Sequence, residues 1–154
     1  MFRQMRRKDR QLGKEEAMEL LQQGVYGVLS MVGENGYGYG VPLNYAYRDN
    51  AIYFHCAKAG FKLDSMSRNE KVSFCVVTEA TVLAKTFTTK YASCIAFGRA
   101  KEVTGEEKAM ALFALIEKYS PEFLEEGKEY IGKAADATHV FKMEIEEITG
   151  KSNH

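Results

Sequence analysis

The chain has 154 residues, 45% hydrophobic and 27% charged, an ordinary composition for a globular protein with room for one core, so a single domain over 1–154 is expected. Lys+Arg and Asp+Glu are each 21, so no overall basic field points to nucleic acid. The only local excess, Arg3, Arg6, Arg7, Lys8 and Arg10 against Asp9, reads as a solvated arm; no apolar stretch follows it as in a signal peptide, and no run reaches bilayer-spanning length.

Lys14 to Gln23 reads as a helix with Ala17, Leu20 and Leu21 as its apolar stripe, stopped at Gly24. Val25 to Val32 is β-branched and apolar, and Gly33-Glu34-Asn35-Gly36 carries hairpin chemistry. Tyr37 to Tyr47 is expected as one strand, with Val41, Leu43, Tyr45 and Tyr47 on one face. Arg48-Asp49-Asn50 turns the chain into a third strand, Ala51 to Cys56, and Phe61 to Arg68 forms a short helix with Leu63 and Met66 inward. Lys71 to Thr78 alternates as a strand, whereas Glu79 to Thr89 is polar and weakly patterned and reads as a loop. Tyr91 to Val103 is a long strand with a uniformly small face: Ala92, Cys94, Ala96, Gly98 and Ala100. Thr104 and Glu107 fit a capping box, in which each side chain meets the other residue's backbone N–H. The helix behind it is expected to bury Ala109, Leu112, Phe113 and Ile116. Ser120-Pro121 opens another short helix. Thr138 to Ile148 closes the chain as a strand, with Phe141, Met143 and Ile145 inward. Tight turns between consecutive strands imply antiparallel pairing, and six strands with peripheral helices imply an α+β protein built on a closed or nearly closed barrel.

Cys56, Cys75 and Cys94 are odd in number, form no CxxC pair and lie in apolar runs, as reduced buried thiols of a cytoplasmic protein would. The stretch Ile52–Met66, IYFHCAKAGFKLDSM, concentrates the polar chemistry. His55 and Cys56 are neighbours on a strand, so their side chains face opposite ways and cannot share a metal ion or form a local dyad. No HxH or HExxH pattern occurs, and no metal site is expected. Cys56 with the distant His139 stays open, beside the plainer reading of a core thiol. A strand end, the small loop Ala57-Lys58-Ala59-Gly60 and a helix start carrying Lys62 have the form of an anion cradle. A pair of solvated lysines at a turn answers to the same pattern. Pro42, inside GYGVPLNYAY, cannot donate to a ladder and marks an edge, bulge or break, where free backbone groups could meet a flat, polar-edged ring such as a flavin.

Taken in order, MRRKDR, YGVPLNYAY, IYFHCAKAGFKLD, NEKVSF, FTTKYASCIAFGRA and IEEITGK resemble the pyridoxamine 5′-phosphate oxidase-related, FMN-binding split-barrel superfamily, and within it the nitroimidazole-resistance branch. The resemblance implies a six-stranded antiparallel split β-barrel with outer helices, and a homodimer with FMN at the subunit interface. It further implies that Val41, Pro42, Leu43 and Asn44 run along the flavin ring. His55, Cys56, Gly60, Phe61 and Lys62 would hold the ribityl phosphate, with Lys62 as charge partner. Tyr91 and Ser93 would lie near the neighbouring subunit's flavin, and His55 would take part in electron transfer. The implied activity is reduction of a small acceptor, such as a nitroaromatic, by electrons from a nicotinamide. Haem or flavin binding without rapid turnover is the alternative. Two residues depart from the family pattern: Cys56 stands where a glycine is usual and Phe61 where a basic or polar residue is common; of the arginine-rich phosphate site of the true oxidase Lys62 is plainly retained, with Lys58 as a second candidate.

Overall fold

The fold is described from a computed structural model over residues 2–154. Its strands are β1 (Gln11–Leu12), β2 (Gly27–Val32), β3 (Gly38–Leu43), β4 (Ala46–Arg48), β5 (Ala51–Ala57), β6 (Lys71–Leu83), β7 (Thr88–Val103) and β8 (Thr138–Asn153). Four helices join them: α1 (Lys14–Gln23), α2 (Phe61–Arg68), α3 (Gly105–Tyr119) and α4 (Leu124–Ala134). All pairings are antiparallel, in the order β3-β2-β6-β7-β8-β5-β4, with β1 alongside β8.

β3 and β4 end this path, yet they are consecutive in the chain, linked only through Asn44-Tyr45. The sheet is therefore curled until its two edges come together without pairing, a split barrel. Six strands become eight because Gln11–Leu12 forms a short extra strand and the expected Tyr37–Tyr47 strand breaks at Asn44-Tyr45. Tyr45 is fully buried at that break, and its hydroxyl donates to the Leu21 carbonyl.

The interior holds Leu21, Leu29, Tyr45, Phe54, Phe74 and Met143, all without exposed surface. The small face of β7 is buried throughout and lets neighbouring elements close on it: α1 packs across β6, β7 and β8. At Gly98 an added Cβ would lie 1.9 Å from the Glu144 carbonyl oxygen, beside the register shift that bulges β8. Gly24, the extended residue that follows α1, likewise has no room for a side chain, because a Cβ there would meet Val76 and the Tyr45 hydroxyl. The β4–β5 turn has Asp49 at φ 52° and Asn50 at φ 61°, the left-handed pair of a type I′ hairpin.

Three other expectations are corrected. Glu79–Thr89 is no loop: β6 runs to Leu83 and β7 starts at Thr88, around one 3₁₀ turn. The capping box does not close; Thr104 makes no side-chain cap, and Glu107 instead accepts from Tyr53 Oη (2.7 Å) and Lys142 Nζ (3.0 Å). Consequently α3 buries Ala111, Ala114 and Leu115, while Ala109 is exposed.

Candidate functional site: the turn from β5 into α2

Along β5 the burial pattern changes at His55, which is exposed, while Cys56 is buried inside the barrel mouth. The two side chains face opposite ways, as neighbours on a strand must. Gly60 caps α2 at φ 143°, a conformation open only to glycine, and a Cβ there would meet nothing within 4 Å. The first intrahelical bond runs from Asp64 N to Gly60 O (3.1 Å), so the Phe61, Lys62 and Leu63 amides precede the ladder and point out of the helix start. Space, free N–H groups and the positive end of the helix dipole thus coincide at one point.

Lys62 is half-buried there and makes no ion pair among the described residues; the paired lysines lie elsewhere. Its charge is felt on both sides. The His55 imidazole is held below its ordinary value, first by desolvation and then by Lys62. Burial pushes the Cys56 thiol up, Lys62 pulls it back, and Glu102 pushes it up again. An uncompensated cation beside free amides and a glycine with open space is a fit for a phosphate group. Asp64 in the same turn is exposed and limits the charge available.

Phe61 turns its ring edge-on to Tyr39 of β3 (centroids 4.9 Å, 78°), which fixes α2 against the β2–β3 hairpin. Cys56 and His139 prove to be direct cross-strand partners, a proximity invisible in a sequence where they stand far apart. His139 Nδ1 is engaged by the Glu102 carboxylate, so the imidazole is oriented away from service as a free base. Among the described residues no group of three or more His, Cys, Asp or Glu side chains is placed to hold a metal ion.

The remaining predicted residues fall in two other places. Val41 and Leu43 pack against the core, so the unpaired side of β3 leaves only their backbone groups for a ligand. Pro42 and Asn44 face outward; Asn44 Nδ2 donates to Val25 O (3.2 Å). Pro42 is on an edge strand, as a proline without a ladder donor should be. Tyr91 and Ser93 sit near the far end of β7, where Lys151 Nζ stands 5.9 Å from the Tyr91 ring centroid. Val103, at the other end of β7, is level with Val140 and so with His55. Ten residues of strand, about 30 Å, therefore separate Ser93 from the β5–α2 turn within one copy.

The outer face of the sheet was not anticipated. Pro42, Val28, Cys75 and Ile95 form one cross-strand row that runs on to Thr149 of β8, and Gly40, Ser30, Ser73 and Phe97 the next, which ends on Glu147; Lys71, Arg99 and Glu146 border the second row. A groove of about 550 Å³ lies along the second row, where the Phe2 ring rests on Phe97 (5.3 Å). Alternation of small and apolar residues on successive strands was the available signal.

An antiparallel sheet curled until consecutive strands meet at its two edges, with helices outside it, defines the split barrels as a class of architecture. Residues 13–152 match the family model described as pyridoxamine 5′-phosphate oxidase, and the chain belongs to that family. Among curated proteins none matches the chain. Solved structures with the same fold include a protein of Bacteroides thetaiotaomicron provisionally assigned to 5-nitroimidazole antibiotic resistance (20% identity, TM-score 0.75, 92% of this chain and 85% of that one). They also include an FAD-binding protein of Mesorhizobium loti (23%, 0.67, 94% and 98%) and an FAD and haem binding protein of Mycobacterium smegmatis (16%, 0.80, 94% and 74%).

Proposed function

We propose that this protein binds FMN between two copies of the chain and serves as a flavin-dependent oxidoreductase for a small acceptor, such as a nitroimidazole or other nitroaromatic, with a nicotinamide as electron donor. The observation that carries the reading is the β5–α2 turn, where Lys62 has no counter-ion among the described residues and stands beside Gly60 and the free amides of α2. Lys62 and those amides would hold the phosphate. The unpaired backbone of β3 from Val41 to Asn44 would meet the ring edge, and the exposed His55, its pKa lowered by desolvation and by Lys62, would stand beside it. When bound, the flavin supplies hydride acceptance and electron transfer; the chain supplies binding, orientation and shielding from water.

Distance supports the homodimer. The cradle and the Tyr91–Ser93 pair lie about 30 Å apart in one copy, so a site that used both would take them from two chains. The test is the visible spectrum and mass identification of whatever co-purifies, followed by FMN titration. A colourless protein that stays colourless with FMN rules the reading out. Haem or flavin carriage without rapid turnover is favoured by one observation: His55 presents an exposed imidazole with no hydrogen-bond partner among the described residues. A Soret band in place of flavin peaks selects that reading.

A further inference from the structure

The last turn of α3 packs over the Asn44-Tyr45 link and β4, and it carries there a lysine with no anion to meet. Lys118 Nζ donates to the Tyr45 carbonyl (3.0 Å) and stands 3.6 Å from the centroid of the Tyr45 ring, with the Tyr119 ring at 5.1 Å. The acid next to it in the chain, Glu117, points about 100° away around the helix and pairs with Arg48 of β4 (3.3 Å). Lys118 makes no ion pair among the described residues. Neither tyrosine supplies a charge: Tyr45 Oη donates to the Leu21 carbonyl and burial raises its pKa, while Tyr119 Oη donates to Val25 O (2.6 Å). Lys118 also lines an open cavity of about 280 Å³, with Ala46 and Ala114 as its apolar wall and Gln22, Arg48 and Glu117 around it. An amine held only by a carbonyl and two ring faces, beside open space, is free to react. Burial keeps its pKa at about 8, against the pull of the rings on a cation, so part of it is uncharged near neutral pH.

We propose that Lys118 is a covalent attachment site for a small 2-oxo acid, carried as an iminium on Nζ with its carboxylate on Arg48 and Gln22. The Nζ lone pair adds to the keto carbon, and the C=O π pair moves onto oxygen. The oxygen leaves as water with one amine proton and one proton from solvent, while the nitrogen lone pair closes the C=N bond. One N–H stays on the cationic nitrogen, as many as the Tyr45 carbonyl accepts from it now. Charge selects the class of ligand. Arg48 and Lys118 against Glu117 leave one positive charge over at the cavity, and the iminium preserves it, so a carbonyl compound with one carboxylate balances the group. Arg48 has donors to spare, since Glu117 takes one of them. Carbon dioxide, the other small electrophile for an amine, would instead leave two anions to one guanidinium. Size sets the upper limit: about 280 Å³ is the liquid volume of roughly nine waters, enough for a chain of roughly three to five carbons. The cavity is separate from the proposed flavin site. Arg48 pairs with Ala51 at the start of β5, whereas the cradle follows the other end of that strand.

The test incubates the full chain with pyruvate and cyanoborohydride at pH about 7.5, where an ordinary lysine is almost wholly protonated. The hydride reduces the iminium to a stable secondary amine, and peptide mass spectrometry locates it. Lys118 is expected to be labelled at least about ten-fold faster than the exposed Lys85, because each unit of lowered pKa exposes about ten-fold more free amine. Labelling of Lys118 should also saturate with pyruvate concentration, whereas that of Lys85 should rise linearly. Arg48→Gln, a change on the half-exposed rim, is expected to slow labelling by pyruvate about five-fold. The same variant should leave labelling by acetone, a ketone of similar size without charge, within about two-fold of wild type. Labelling of Lys118 no faster than that of Lys85 overturns the proposal and leaves Lys118 a packing residue only. A preference of wild-type Lys118 for acetone over pyruvate overturns the carboxylate assignment, as does an Arg48→Gln effect equal for the two ketones.

Discussion

Replacing Lys62 by alanine isolates the charge in the cradle from its shape. The helix start and Gly60 remain, so any loss belongs to the ammonium. Two unit charges about 4 Å apart near a protein surface interact by about 4 kcal/mol before desolvation is counted. A charge-assisted hydrogen bond is worth about 1.5–3 kcal/mol net. The dissociation constant for FMN should therefore rise roughly ten- to a hundred-fold. Riboflavin, which has the same ring and no phosphate, should lose less than about three-fold by the same arithmetic. Fluorescence titration of both ligands reads the difference directly, and equal losses would refute the assignment of Lys62 to a phosphate. A second readout needs no ligand. Because Lys62 helps to depress the His55 pKa, Lys62→Ala should move the His55 titration, followed by NMR, upward toward the ordinary histidine value. The folded pKa is below the unfolded one, so His55 disfavours the fold as pH falls through the histidine range, and the variant should lose part of that slope. An unmoved His55 titration means that Lys62 is not beside it.

Gly98→Ala places a methyl where the Glu144 carbonyl stands and should cost about 3 kcal/mol in urea unfolding; a loss under about 1 kcal/mol shows that β8 can shift away. Lys118 donates to Tyr45 O (3.0 Å) over the Tyr45 ring, and burial holds its pKa down at about 8. Its folded value is below the unfolded one, so the wild type should gain stability relative to Lys118→Met as pH rises from about 8 to about 10.5, by at most about 3 kcal/mol; parallel pH profiles contradict this. Burial raises all three thiols, Cys94 to about 12, so Ellman's reagent should reach half-buried Cys75 first and Cys56 and Cys94 only on unfolding. Fast labelling of Cys94 in the native protein contradicts that burial.

Elements that bury one face in a regular rhythm were legible in the sequence. α1 and α2 begin and end where their composition places them, and the body of β6 alternates as expected, while β5 is buried on both faces from Ala51 to Phe54. Glu79–Thr89 was read as a loop for a physical reason: no other element of this chain covers either side of the β6–β7 hairpin tip, so no alternation is selected there. Glu107 was misassigned because its partners, Tyr53 and Lys142, come from distant strands and outcompete a local cap. The misplaced face of α3 follows from the same docking onto β4 and β5. In the site, the opposed directions of His55 and Cys56 were available from strand geometry, as was the strand end, short loop and helix start from Cys56 to Lys62. Pairing of Cys56 with His139, and the distance from the cradle to Ser93, depend on strand order, which local sequence does not encode.

The link Asn44-Tyr45 acts as a hinge pin that does not turn. It carries the chain from one edge of the sheet to the other, and two extended residues reach about 7 Å. Tyr45 is fastened there by its hydroxyl to Leu21, by its carbonyl to Lys118 and by its amide to Tyr119 (3.1 Å). The seam between β3 and β4 is thus latched at this point and can splay only toward the opposite end. That end is roofed by α2, whose Phe61 rests on Tyr39 of the edge strand. A molecule bound at the β5–α2 turn would therefore press on the part of the barrel free to breathe, and amide exchange along β3 should slow from Gly38 onward when the turn is filled.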